Sequence, residues 1–276
     1  MVSYNIEQLT AIVRAAETKR SPLIIQLFPS TVKQLPTLPW AAAMAVKKAT
    51  VPISLHLDHA QDEAHIREIA ADLPFDSIMV DMSHYEHDEN LAKTKALTEL
   101  CHEKHIAVEA ESGRINGSED GIAGTGSLEG ELSGLWVQLA QILTLAALFT
   151  SPEEVEDFLA VGVDLLAPSI GNIHGDYGPS GPLLDYQRLA DVNKQISGRV
   201  EIALHGTNDF TDDIMKRCIQ NGAVKLNLNK LVLEFWNEHL REHAQDPLTK
   251  LIDDGMAVLQ AETERWMDIC GSSGKA

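Results

Sequence analysis

The feature that most constrains this chain is a repeated alternation. Short, nearly continuous apolar runs are followed, time after time, by segments with the 3.6-residue periodicity of an amphipathic helix. The runs lie at 23–28, 52–57, 76–81, 106–111, 163–168, 200–205 and 224–228. They are apolar at successive positions rather than at every second one, which is the pattern of parallel strands buried on both faces. Helical periodicity falls at 6–19, 38–49, 61–71, 90–104, 152–161, 185–196 and 211–221, and again from 229 to about 267. Seven strand–helix units in 276 residues predict a single α/β domain over residues 1–276, a (β/α)8 TIM barrel. The eighth strand should precede the first helix, so the chain is expected to lack most of strand 1 at its N-terminus.

A barrel of this kind carries its chemistry where the strands end. The polar residues at those ends are Asp58 and His59, Asp81, Glu111, His174, His205 and Asn227. A scatter of polar residues would not keep to one end of so many strands. In Leu55-His56-Leu57-Asp58-His59 a carboxylate precedes a histidine, and His174 and His205 each precede a glycine. Three imidazoles with an open fourth position make a catalytic metal site rather than a structural one. Strand alternation would turn His56 away from a site holding His59. Lys225, two residues before Asn227, would face the interior as Asn227 does, which leaves room for Schiff-base chemistry. Asp58 alone could equally cap the helix that follows. Asp81 and Glu111 could hold metal or simply hydrogen-bond.

A net charge of −19 argues against a nucleic-acid or anionic-membrane partner. Cys101, Cys218 and Cys270 have no CxxC spacing, and the N-terminus has no apolar leader, which together suggest reduced thiols and a cytoplasmic protein. Residues 132–151 carry no charge. A membrane span there would separate units that must pack side by side, so the stretch is better taken as an atypical apolar insertion at 131–147. Deleting those residues rejoins an ordinary loop-to-helix passage, as removing a translated intron would; the alternative is a genuine apolar helix.

Six blocks in order resemble the class II, zinc-dependent fructose-bisphosphate aldolase family: Leu55-His56-Leu57-Asp58-His59, Met79-Val80-Asp81-Met82-Ser83-His84, Val108-Glu109-Ala110-Glu111-Ser112-Gly113, Ser118-Glu119-Asp120-Gly121, Gly171-Asn172-Ile173-His174-Gly175 and Leu204-His205-Gly206. The resemblance implies a catalytic Zn²⁺ on His59, His174 and His205, Asp58 as proton donor, and Glu119 in proton transfer at the ketose carbon. It implies a second or alternate cation, divalent or monovalent, at Asp81 and Glu111. It also implies a homodimer acting on a small sugar phosphate, with fructose 1,6-bisphosphate cleaved to dihydroxyacetone phosphate and glyceraldehyde 3-phosphate. Substrate contacts are expected from Gly175, Gly206, Thr207, Asn208, Asn227, Asn229 and Lys230. The phosphate positions depart from the family pattern. Its Asn-x-Asp-Thr block reads Asn227-Leu228-Asn229-Lys230, Gly178 replaces a lysine-type residue, and Phe28-Pro29-Ser30 replaces a Ser/Gly loop. A sugar-phosphate-binding relative without strong turnover, and a zinc hydrolase, remain as alternatives.

Overall fold

The computed structural model describes residues 1–117, 148–179 and 181–276. Glu119 and the expected insertion at 131–147 lie outside the described residues. Seven parallel strands form one curled sheet in the order β1 (Leu23–Leu27), β2 (Ile53–Ala60), β3 (Ser77–Val80), β4 (Ala107–Ser112), β6 (Leu165–Pro168), β8 (Glu201–Leu204) and β9 (Ala223–Leu226). Every predicted strand run is a strand of this sheet.

The expectation about strand 1 meets a specific arrangement. Met1–Ser3 lies between the two edge strands. Val2 bridges Gln26 in parallel, the amide of Gln26 donates to Met1 O at 2.9 Å, and the amide of Val2 donates to Leu228 O at 3.0 Å. Three residues thus touch β1 and the end of β9 in the place of an eighth strand.

The helices pack outside the sheet. They are α1 (Ile6–Lys19), α2 (Pro29–Gln34), α3 (Leu38–Lys48), α4 (Glu63–Asp72), α5 (His87–Glu103), α6 (Pro152–Val161), α7 (Tyr186–Ile196), α8 (Asp212–Gln220), α9 (Lys230–Glu242) and α10 (Leu248–Ile269). Local chemistry sets several boundaries. The Asn5 side chain accepts the amide of Gln8 at the start of α1, and α1 buries Leu9, Ile12 and Ala16. A Ser151/Glu154 capping box opens α6, and Gly162, at φ +87°, ends it. Two differences from the sequence reading have a common cause. Pro29 starts the six-residue α2 where a loop was expected, and Pro247 divides the C-terminal helical region into α9 and α10. Proline favours the first turn of a helix and cannot sit inside one.

Most of the apolar core, including Ile25, Leu57, Ile78, Val108, Leu166 and Leu204, lies between the sheet and its helices. A separate small cluster, Met79, Ala167 and Ala203, comes from the alternate positions of β3, β6 and β8. A second, two-stranded parallel sheet, β5 (Asn116–Gly117) with β7 (Ile173–His174), pairs Gly117 with His174. Gly117 has φ +99°, and a Cβ there would sit 1.9 Å from His174 O. Only glycine lets these two loops approach so closely.

Candidate metal centre

The centre begins with a bulge in β2. Leu57 pairs with Ile78 and Ala60 with Val80, so β2 spends one residue more than β3 over the same interval. His59 takes the extra turn at φ +48°, a left-handed conformation that a non-glycine residue adopts only where its surroundings impose it. As a result Asp58 and His59, neighbours in the chain, both reach one buried cluster; each is 2% exposed.

The bulge also corrects the reading of His56. Simple alternation places His56 and His59 on opposite faces. His56 shares a side with Asp58, as positions i and i+2 of a strand do, with Nε2 3.5 Å from Asp58 Oδ1; the bulge brings His59 to that side as well. It is a buried neighbour of the centre, and its Nδ1 meets Ser77 Oγ at 2.7 Å.

The three histidines expected to converge do so. His59 Nε2 and His205 Nδ1 are 2.9 Å apart. His174 sits edge-on to His59, with ring centroids 4.6 Å apart, and 5.9 Å from the ring of His205. The outer nitrogens of two of them are held by carboxylates: His59 Nδ1 is 2.9 Å from Asp81 Oδ2, and His205 Nε2 is 2.6 Å from Glu109 Oε1. Asp81 is itself braced by the Ser83 hydroxyl at 2.7 Å and the Gln61 amide at 3.0 Å. Glu111 accepts the amide of Ile115 at 2.8 Å. Asn227 donates its amide to both oxygens of Asp58, at 3.2 and 3.1 Å.

The electrostatics follow from burial and crowding. Burial alone would raise the Asp58 carboxyl, but the His56 hydrogen bond and the charges of His59, Lys225 and His205 outweigh it and hold Asp58 well below the usual carboxylate range. Burial would lower His59, yet Asp58 and Asp81 raise it to about 9. Burial, then repulsion from Asp81, pushes Glu111 up to about 8. Burial and the neighbouring His59 and His205 push His174 well down, leaving a neutral ring.

These residues fit a metal ion. His174 is buried, and among the described residues neither of its ring nitrogens has a hydrogen-bond partner. A neutral imidazole with a free lone pair, deep in the protein and beside two others, is a ligand in want of an ion. One nitrogen from each of His59, His174 and His205 lies within 4.8 Å of the others, a spacing that a cation at about 2.0–2.1 Å from each could close. His59, Asp81 and Glu111 form a second such group and His56, Asp58 and Glu109 a third.

The expected substrate contacts are less uniform. Gly175, Asn208, Asn229 and Lys230 line one polar recess of about 750 Å³, together with Asn5 and Arg241. Lys230 is ion-paired with Asp176. Asn208 donates to Gly175 O at 3.3 Å, and Tyr4 donates its hydroxyl to Asn229 Oδ1 at 3.3 Å. The Thr207 hydroxyl donates to Asn227 O, inward rather than into the recess. Gly206, at φ +65°, packs against Ile173 O and so joins the two loops that carry His174 and His205.

Glu109 was passed over in the sequence, and Lys225 was weighed only for Schiff-base chemistry. Both face the interior, where Lys225 Nζ lies 2.7 Å from Glu109 Oε2. A signal was present. Each lies two positions before a strand-end polar residue, Glu111 or Asn227, and therefore on the same face.

A histidine-and-carboxylate centre at the C-terminal rim of a curled parallel sheet defines an α/β enzyme of the barrel type, with its candidate metal centre at the usual end. Comparison with known proteins narrows the class. The family described as "Fructose-bisphosphate aldolase class-II" matches residues 1–275. A Coccidioides immitis protein provisionally named a fructose-bisphosphate aldolase is 44% identical over 283 residues, covering 99% of this chain and 88% of its own. Its fold is shared too, since a crystal structure of such a protein from that organism superimposes with a TM-score of 0.90, at 43% identity, over 99% of this chain and 91% of that one. The fructose-bisphosphate aldolase of Streptococcus pneumoniae serotype 4 is 33% identical over 291 residues, covering 99% of this chain and 91% of its own. The YdjI aldolase of Escherichia coli K12 superimposes with a TM-score of 0.82 at 26% identity, over 100% of this chain and 91% of that one. The chain belongs to the class II fructose-bisphosphate aldolase family, and with it to the carbon–carbon lyases. No described helix is long and apolar enough to cross a membrane.

Proposed function

We propose that this protein is a zinc-dependent aldolase that cleaves a phosphorylated ketose, with fructose 1,6-bisphosphate the leading substrate and dihydroxyacetone phosphate and glyceraldehyde 3-phosphate its products. The observation that carries the reading is His174, buried beside His59 and His205 with both ring nitrogens unpartnered among the described residues. His59, His174 and His205 would hold Zn²⁺, which when bound supplies a Lewis acid for the ketone of the substrate. Asp81 and Glu109 fix the orientation of two of these rings by accepting from their outer nitrogens.

Asp58 is the group assigned to the proton of the hydroxyl at the bond that breaks. Its depressed carboxyl is ionised at neutral pH, ready to take that proton in cleavage and return it in synthesis. Asn227 orients Asp58 by donating to both of its oxygens. Glu119 is proposed for the second proton transfer, at the ketose carbon. Asp81 and Glu111 would accept a second or alternate cation. The recess lined by Gly175, Asn208, Asn229 and Lys230 would take a phosphate group, while Gly206 and Thr207, expected as substrate contacts, would act from outside its lining, Thr207 by holding Asn227 O. The homodimer implied by the family resemblance belongs to this proposal as well.

The test is turnover on a panel of ketose phosphates, with metal analysis of the same sample. Chelation should abolish cleavage, Zn²⁺ should restore it, and borohydride with substrate should trap no adduct. Cleavage that survives complete metal removal, or a reduced adduct on Lys225, would overturn the proposal.

A further inference from the structure

Beneath the three histidines lies another group of buried ligand-type side chains that the proposed reaction does not use as ligands. His56, Asp58 and Glu109 each place one ligand atom within 4.8 Å of the other two, and they are 1%, 2% and 0% exposed. Two carboxylates this close, this deep, would ordinarily protonate or capture a cation. Here a cation is already among them. Lys225 Nζ is 2.7 Å from Glu109 Oε2, 3.5 Å from His56 Nε2 and 4.0 Å from Asp58 Oδ1.

We propose that the Lys225 ammonium is a tethered cation filling the third cation position, formed by His56, Asp58 and Glu109, and that it thereby keeps metal ions off Asp58. The inference rests on the proposed role of Asp58 and deepens it.

The chemistry of the three groups is that of a metal site. Two carboxylate oxygens and an imidazole nitrogen suit a divalent cation such as Mn²⁺ or Zn²⁺. An ion lodged there would take Asp58 as a ligand and remove its oxygen from proton transfer. It would also draw on Glu109, whose other oxygen steadies His205 at 2.6 Å. An ammonium on a four-carbon stem satisfies the same charge without a ligand bond, and it cannot diffuse away. Lys225 is therefore a positioning residue. It acts on the reaction through Asp58 directly and on the centre above through Glu109. Its ion pair with Glu109 also sets it apart from a Schiff-base lysine, which must be neutral to attack a carbonyl.

The experiment counts bound Mn²⁺ per chain, after stripping and equilibrium dialysis, in the wild type and in K225M, K225R and K225M/E109Q. K225M should bind one equivalent more than the wild type, with anomalous scattering between His56, Asp58 and Glu109. K225R should match the wild-type count, and K225M/E109Q should lose the extra ion. In metal-loaded K225M, kcat should fall about 100-fold with KM little changed, because a proton-transfer group is lost rather than a binding contact. K225Q, which keeps the side-chain length, carries the same prediction as K225M. If the neutral variants are unfolded without metal, Mn²⁺ must restore their fold. A folded K225M and K225Q with the wild-type count, an extra ion that survives E109Q, an extra ion in K225R, or unfolded variants that Mn²⁺ does not rescue would each overturn the proposal. The wild-type count reports on the three-histidine centre together with the Asp81/Glu111 position, and the proposal is read only from the difference between variant and wild type, so failure there and failure here are read separately.

Discussion

Gly206→Ala tests the junction on which the centre depends. Gly206 has φ +65°, and a Cβ built there lies 2.3 Å from Ile173 O and 2.8 Å from Ile173 C. Two penalties combine. An L-residue in the left-handed region is disfavoured by about 1–2 kcal/mol. Relieving contact with a backbone carbonyl, which cannot rotate away as a flexible side chain could, adds about 1–3 kcal/mol of overpacking. We expect a loss of about 2–5 kcal/mol, a large part of the usual stability of a domain. Because Ile173 immediately precedes His174, and Gly206 immediately follows His205, the loops must separate along the line between two proposed ligands. Stability should be read by chemical denaturation, and metal affinity by competition with a chromophoric chelator. The affinity should fall along with the stability. A variant with wild-type denaturation midpoint and wild-type metal affinity would refute the claim that this contact sets the spacing of His174 and His205.

Asp81→Asn removes the carboxylate at 2.9 Å from His59 Nδ1; metal affinity should drop about 10–100-fold, measured by the same competition, while the fold persists by circular dichroism. Ser151→Ala removes the cap of α6 and should destabilise by about 1 kcal/mol in a denaturant titration, with activity per folded molecule unchanged. Burial pushes the Cys101 thiol up to about 11 and those of Cys218 and Cys270 up to about 12, against an ordinary 9.0. A pKa raised by folding means that the folded state holds its protons longer. The associated stability is therefore complete below pH 9 and is lost as pH rises toward 11 and 12. Ellman's reagent at pH 8 should find the native thiols slow and the unfolded ones fast, and replacing all three with alanine should flatten the alkaline fall in denaturation midpoint.

The legible and the hidden parts of this protein divide on physical grounds. Strand runs such as 23–28 were readable because burial on both faces leaves apolar side chains at nearly every position. Helices with capping residues, α1 behind Asn5 and α6 behind Ser151, were readable to the residue because the cap and the apolar stripe are both local. The short helix α2 was missed because six residues hold too little periodicity to register. The break at Pro247 was signalled by the proline and by the polar stretch before it, in which Ala244 is the one apolar residue from 241 to 246, and was passed over.

The candidate centre shows the same division. His59, His174 and His205, with Asp58, could be picked out from their place at the ends of strands. That His56 and His59 reach the same side could not, since one extra residue in β2 reverses the parity between them. Glu109 and Lys225 belong to strands 116 residues apart in the chain, and nothing local marks them as partners; only the closeness of β4 and β9 across the interior pairs them at 2.7 Å.

By itself, then, the sequence determined the class of fold, the end of the sheet that bears the candidate centre and the side chains able to hold a metal, because each is written in short-range pattern and residue type. The tertiary structure alone decided which ring nitrogen faces which neighbour, that the Lys230 ammonium is paired with Asp176, and that an ammonium sits among His56, Asp58 and Glu109. Those outcomes depend on distances between residues far apart in the chain, and such distances exist only after the sheet has curled.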